Sequence, residues 1–146
     1  MRKCKVVRIK SKDLTHELEQ FIVKSCKELK KIYGKTYDLS HFPFEELMDN
    51  HYFAICYDKT GPVGMMIGRL KTNIFDANVI FLTQITLYAV PGTKAAYYLM
   101  NDFIDFGKNN ANYIISTINT QTNIKGRSLE RLGFKETERV FRLEVK

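Results

Sequence analysis

The stretch Val79–Val90 constrains this chain most. It carries Ile80, Phe81, Leu82, Ile85 and Leu87 on both parities of an extended backbone, so both faces of a strand built from it are apolar and need cover. It is shorter than the roughly 18 residues that cross a bilayer, and Thr83, Gln84 and Thr86 interrupt it, which makes it the centre of a water-soluble sheet rather than a membrane span. Pro91-Gly92 ends the run. Behind it Ala96, Leu99, Met100, Phe103 and Ile104 recur at helical spacing as far as Gly107–Asn110, with Thr93 placed to cap that helix. A two-sided central strand followed at once by an amphipathic helix points to the α/β class.

Elements of both kinds flank this pair. Lys5–Lys10, with Val6, Val7 and Ile9 among cations, suits an edge strand. Asp13 offers an N-cap to a helix whose stripe Leu14, Leu18, Phe21, Ile22, Ser25, Leu29 and Ile32 stops near Gly34. Ser40 is placed to cap a short helix through Phe44, Leu47 and Met48, with Pro43 tolerated in its first turn. Tyr52–Tyr57 and Pro62–Lys71, joined by Asp58-Lys59-Thr60-Gly61, read as a β-hairpin. Tyr113–Ile118 reads as another buried strand, Asn123–Leu132 as a short helix closed by Gly133, and Phe134–Val145 as a last strand. The predicted order is β-α-α-β-β-β-α-β-α-β, an α/β (α+β) mixed sheet flanked by helices. Residues 1–146 fit a single domain, since one core commonly takes ~100–200 residues.

The formal charge of +7 is unevenly placed. Residues 1–35 hold all of the excess, so the first strand and first helix carry a local positive field that favours an acidic partner. Lys24, Lys27 and Lys31 share one helix face away from the apolar stripe; they read either as a solvated face or as a docking surface for nucleic acid or an acidic protein. Interleaved aromatics, which single-strand binders use to stack bases, are missing there. Cys4, Cys26 and Cys56 form no Cys-x-x-Cys pair, and His16, His41 and His51 follow no ligand spacing, so neither a disulfide framework nor a metal site is indicated. The basic start Met1–Lys5 is followed by no apolar segment of a secretory leader, and a cytoplasmic location is expected.

Two local patterns narrow the reading. In Ser128-Leu129-Glu130-Arg131-Leu132-Gly133-Phe134 a short helix leaves through a left-handed glycine, which lets Phe134 turn towards a core. In Val90-Pro91-Gly92-Thr93-Lys94-Ala95-Ala96-Tyr97-Tyr98-Leu99 a glycine and small residues open a helix directly after the central strand. In these runs, and in the order of elements over its whole length, the chain resembles the GNAT superfamily of acetyl-CoA-dependent N-acyltransferases, and within it a divergent branch often found in phage genomes.

The resemblance implies a splayed central sheet, acetyl-CoA as cofactor, and transfer of an acetyl group to a primary amine: a protein lysine, a modified base or a small amine. It implies pantetheine contacts from the backbone of Leu87, Tyr88 and Ala89, pyrophosphate contacts from Gly92, Thr93, Lys94, Ala95 and Ala96, and a further contact from Asn123. The chemistry of the loop is that of free backbone N–H groups at a helix start, with the positive end of the helix dipole behind them.

The sequence also departs from the pattern. Lys94 replaces the loop's first glycine and Pro91 its Arg or Gln. Leu129 stands where a tyrosine commonly protonates the CoA sulfur, and the central strand offers Gln84 in place of a carboxylate. Gln84, Ser128, Tyr97 and Tyr98, with water, are the candidates that remain for handling protons; packing competes as the role of the two tyrosines, and a satisfied buried amide as that of Gln84. His41 is a further base candidate, and Glu45, Glu46 and Asp49 would favour a cationic acceptor if they line its pocket. Two functions stay open: an N-acetyltransferase, or a non-catalytic protein of the same fold that binds nucleic acid or an acidic protein through Lys24, Lys27 and Lys31.

Overall fold

The period-2 and period-3.6 segments assemble around one mixed sheet. A computed structural model describes residues 3–34, 38, 40–117 and 126–146. The described residues form five strands that lie across the sheet in chain order: β1 (Lys5–Arg8), β2 (Tyr52–Asp58), β3 (Gly61–Thr72), β4 (Ile80–Ala89) and β5 (Tyr113–Ile115). Neighbours among β1 to β4 are antiparallel, and β5 joins β4 in parallel. Among the described strands the middle place therefore falls to β3, not to β4 as its two-sided pattern suggests.

Helices cover both faces. On one, Leu18, Ile22 and Leu29 of α1 (His16–Tyr33) and Leu47 and Met48 of α2 (Phe44–Asn50) pack on Phe53, Ile55, Met65 and Ile67. On the other, Ala95, Leu99, Met100 and Phe103 of α3 (Ala95–Asn110) pack on Tyr52, Ala54, Cys56, Met66 and Leu82. The alternation along β2 divides its side chains cleanly between the two cores. A polar tie crosses the second core: Tyr52 donates its hydroxyl to Asp102 Oδ2 at 2.8 Å, and Arg8 of β1 holds the same carboxylate with Nε at 3.0 Å while lying over the Phe106 ring. Burial first, and Asp102 second, push the Tyr52 phenol upward, so it stays a donor.

Helix starts differ from expectation. Asp13 caps only the one-turn 3-10 segment Ser11–Asp13, accepting from Lys10 N at 2.9 Å; the cap of α1 is Thr15, whose hydroxyl accepts from Leu18 N at 3.2 Å. Ile32 falls on the exposed side of α1. Pro43, not Ser40, sits at the N-cap of α2. The buried stripe of α3 runs through Ala95 rather than Ala96.

The largest corrections lie after α3. β5 is short and its Tyr113 and Ile115 are exposed, so it is not the buried strand expected; Ile118, its expected end, lies outside the described residues. α4 spans Gly126–Arg131, and the chain leaves it at Gly133 with φ 95°. Phe134–Val145 forms no strand, and no described strand pairs with it. Among the described residues no helix is long and apolar enough to cross a membrane, and no group of three His, Cys, Asp or Glu side chains gathers as a metal would need.

Candidate active site

The site is built where β4 leaves its neighbour. β4 and β5 pair at Phe81↔Tyr113, Leu82↔Ile114 and Thr83↔Ile115, and past Thr83 β4 has no described partner on that side. Just past the last pair Ser116 Oγ donates to Gln84 Oε1 at 2.5 Å, joining the two chains where their ladder ends. From there β4 runs on to Ala89, with Leu87, Tyr88 and Ala89 paired to Met66, Met65 and Gly64 on the β3 side only.

A bulge sets the phase of this stretch. Ile67 faces Thr86 while Gly68 faces Gln84, so Ile85 is an extra residue on β4. Its effect is visible in the packing. Leu82 and Leu87 both join the α3 side, five residues apart, and Ile85 and Tyr88 both join the α1 side, three apart. The Tyr88 ring packs near Phe21, at 6.3 Å between centroids, on the α1 side of the sheet.

β4 then feeds α3 through a tight loop. Val90 N donates to Val63 O at 2.8 Å, Gly92 turns the chain at φ 81°, and Thr93 donates both N–H and Oγ–H back to Val90 O, at 3.2 and 2.6 Å. The Thr93 hydroxyl is therefore used inside the loop and does not cap α3, contrary to the sequence expectation. Lys94 takes the N-cap position with no side-chain cap, and the first α3 bond runs from Tyr98 N to Lys94 O. The N–H groups of Ala95, Ala96 and Tyr97 thus head the helix without a side-chain acceptor, at the positive end of its dipole. Gly64 makes this placement possible: a Cβ there would lie 2.7 Å from Ala95 Cβ and 2.9 Å from Leu99 Cδ1, so only glycine lets the first turn of α3 settle on β3.

The fold as a whole recurs in solved structures. The chain superposes on a transcriptional regulator from Bacillus halodurans C-125 with a TM-score of 0.72 at 17% identity, over 98% of this chain and 100% of the other. Glucosamine-6-phosphate N-acetyltransferase from Arabidopsis thaliana gives 0.70 at 10% identity, over 99% of each chain. The aminoglycoside N-acetyltransferase AAC(6')-Iy, solved in complex with CoA, gives 0.63 at 18% identity, over 100% of this chain and 97% of the other. The chain has the GNAT fold. No family model and no curated protein matches its sequence.

Within the GNAT fold the expected cofactor residues Leu87, Tyr88, Ala89, Gly92, Thr93, Lys94, Ala95 and Ala96 form one continuous path along the end of β4 and over the start of α3. Asn123 lies outside the described residues. The four proton-handling candidates are dispersed: Gln84 at the fork, Tyr97, exposed on the first turn of α3, with Tyr98 against it, and Ser128 exposed on α4. Leu129 is half-buried against the α3-side core. Asp49 is engaged elsewhere, accepting from Ser11 N at 2.8 Å and Ser11 Oγ at 2.6 Å, which holds its carboxyl below the usual range. Ser116 was missed, because a lone serine at a strand end gives no sequence signal of the partner 32 residues away that it meets across the fork.

Proposed function

We propose that this chain is an acetyl-CoA-dependent N-acetyltransferase that acetylates a primary amine, with residues 1–146 as one catalytic domain. The observation that carries the reading is the continuous path from the β4 fork to the uncapped start of α3. The residues present suit acetyl-CoA. The N–H groups of Ala95, Ala96 and Tyr97 and the exposed Lys94 ammonium fit a pyrophosphate, and the backbone of Leu87–Ala89 offers strand-like pairing to an amide-bearing arm. When bound, the cofactor supplies an activated acyl carbon and a thiolate leaving group.

The chain's own residues then place and move protons. Gln84, fixed through its Oε1 by Ser116, turns its amide N–H groups away from that bond and orients a water beside the incoming amine, to which the amine loses its proton. Ser128 is the hydroxyl group offered to the departing sulfur, whereas Tyr97, on the turn that takes the pyrophosphate, packs its ring against Tyr98. The acceptor is a protein lysine, a modified base or a small amine.

The test is thermal unfolding with acetyl-CoA, CoA and an unrelated nucleotide. A ligand at ~100 times its Kd stabilises by about 2.7 kcal/mol, an easily read rise in Tm. Ala96→Glu sharpens the result: a carboxylate in the first turn favours the helix itself yet repels a pyrophosphate, so the variant should unfold no lower than the parent but lose the cofactor shift. No shift at millimolar acetyl-CoA or CoA sinks the proposal.

A further inference from the structure

We propose that the α1-side face of β3, β4 and β5 receives the acceptor, and that the acceptor is an amine-bearing base in an unpaired nucleic acid strand. The inference rests on the acetyl-transfer reading and names its substrate class. Register fixes which side chains share this face. Arg69 pairs with Thr83 and Thr83 with Ile115; Lys71 pairs with Phe81 and Phe81 with Tyr113. Residues paired directly across a sheet point to the same side. The row between them, Leu70, Leu82 and Ile114, packs into the α3-side core, so the two rows around it face the other way. On that side α1 and α2 cover Phe53, Ile55, Met65 and Ile67, while Arg69, Lys71, Tyr113 and Ile115 are exposed.

The composition of the face selects its ligand. Phe81 and Tyr113 stack at 5.5 Å between centroids with planes 30° apart, and Tyr113 is 60% exposed, which makes a platform for a flat aromatic ring. Arg69 and Lys71 stand beside it on β3, about 7 Å apart along the strand, and neither has an anionic partner among the described residues. Phe75, 95% exposed in the turn from β3 to β4, adds a second free ring. The acidic side chain of that turn, Asp76, has one carboxylate oxygen occupied by Asn78 N at 3.0 Å. Cations interleaved with aromatics are what an unpaired strand needs, the first for its phosphates and the second for its bases. The lysine face of α1 has the charge without the rings. Because the rows lie open rather than enclosing a cavity, they suit a nucleotide held in a strand better than a free one, which pockets usually surround.

Position and protonation agree with an acceptor role. Thr83 and Ile115 form the last pair of the ladder, so the Tyr113 platform lies about 7 Å along the sheet from the place where Ser116 meets Gln84. An alkylamine such as lysine is an ammonium near neutral pH; Arg69 and Lys71 repel it, and neither row holds a carboxylate to attract or deprotonate it. An amine conjugated with a base ring is already neutral and attacks without that help. Its nitrogen bonds to the acyl carbon as the carbon–sulfur bond breaks. The nitrogen releases one proton to the water held by Gln84 and the sulfur takes up one, leaving an N-acetylated base and a free thiol.

The experiment is fluorescence anisotropy of short labelled oligocytidylates, as DNA and as RNA, over a salt series, with mass spectrometry of the same strands after incubation with acetyl-CoA. At least one should bind, more weakly as salt rises, and gain one acetyl group. Oligothymidylate, whose base has no amine, should bind without gaining mass, and hexylamine should stay unmodified. Tyr113→Ala should weaken binding about 10-fold, the worth of one stacked base. Arg69→Glu with Lys71→Glu should weaken it at least as much and flatten its salt dependence. Both variants alter exposed side chains, and both should keep the rise in Tm with acetyl-CoA, which shows that they fold. Binding that ignores both variants overturns the inference and moves the strand to the α1 lysines; acetylation of hexylamine in preference to cytidine overturns it too. A cofactor shift without binding of either oligocytidylate sinks this inference alone. Binding on this face without a cofactor shift sinks the acetyl-transfer reading, and the acceptor role with it.

Discussion

The two sides of the sheet are built on different terms. From β1 to β3 the strands pair along most of their length, helices cover both faces, and Tyr52–Cys56 and Val63–Ile67 are buried without a break. Between β4 and β5 pairing shrinks to three residues and the α1-side face of β5 lies open. Stability therefore concentrates in the first half, leaving the second free to hold a gap, a bulge and a helix start with donors to spare. A binding cleft needs that freedom, because groups already paired within the fold have nothing left to offer a ligand.

The sharpest way to break this contrast is a pair of aromatic truncations. Phe103 is fully buried among Tyr52, Leu82 and Leu99, and Phe103→Ala should cost about 3–5 kcal/mol. Tyr113→Ala removes a stacked but exposed ring and should cost about 1 kcal/mol. Urea unfolding of both checks the ratio; similar losses would mean that the β5 side carries as much of the stability as the β2 side.

The same division decided what the sequence disclosed. The α1 stripe, the β2–β3 hairpin and the order of the first seven elements follow from periodicity, since one residue type repeating at one spacing is enough to bury a face. Features of the cleft depend on residues far apart in the chain. The bulge at Ile85 hides in a run that is apolar at either parity, Ser116 meets Gln84 only because two strands fork, and Gly64 matters only because Ala95 lies on it. Asp13 is the cap the sequence points to, but it closes the 3-10 turn, and Thr15, two residues on, caps α1. The tail shows a strand pattern that is genuine in the sequence but has no described partner within the chain.

Helix starts give a second, smaller comparison. Thr15 caps α1 by accepting from Leu18 N, whereas the Thr93 hydroxyl points back to Val90 O and leaves the donors of α3 untouched. Thr15→Ala should therefore cost about 1 kcal/mol, the usual worth of an N-cap, with no change in acetyl-CoA binding. Thr93→Ala should cost about 0.5 kcal/mol, a single net hydrogen bond, with helix content unchanged by circular dichroism. Equal costs, accompanied by fraying of α3, would show that Thr93 acts as a cap after all and that fewer donors are open to a ligand than proposed.

The smallest effect concerns the tie between the 3-10 turn and α2, and it is read through pH. The Ser11 hydroxyl first, and its backbone N–H second, hold the Asp49 carboxyl below the usual carboxylate range. A carboxyl whose folded pKa is depressed adds stability above its unfolded value, near 3.9, and that contribution drains away as pH falls through the folded value. Ser11→Ala removes the larger of the two bonds, raises the folded pKa towards the unfolded one, and so shrinks the share of stability that acid can remove. Urea midpoints followed from about pH 5 down to about pH 2 should then fall less steeply for the variant than for the parent. Parallel curves would mean that the Ser11 bonds hold the protonated and ionised forms of Asp49 alike, and that with the Lys10 Nζ bond to Asp49 O and the packing of Leu47 and Met48 they tie the end of α2 independently of pH.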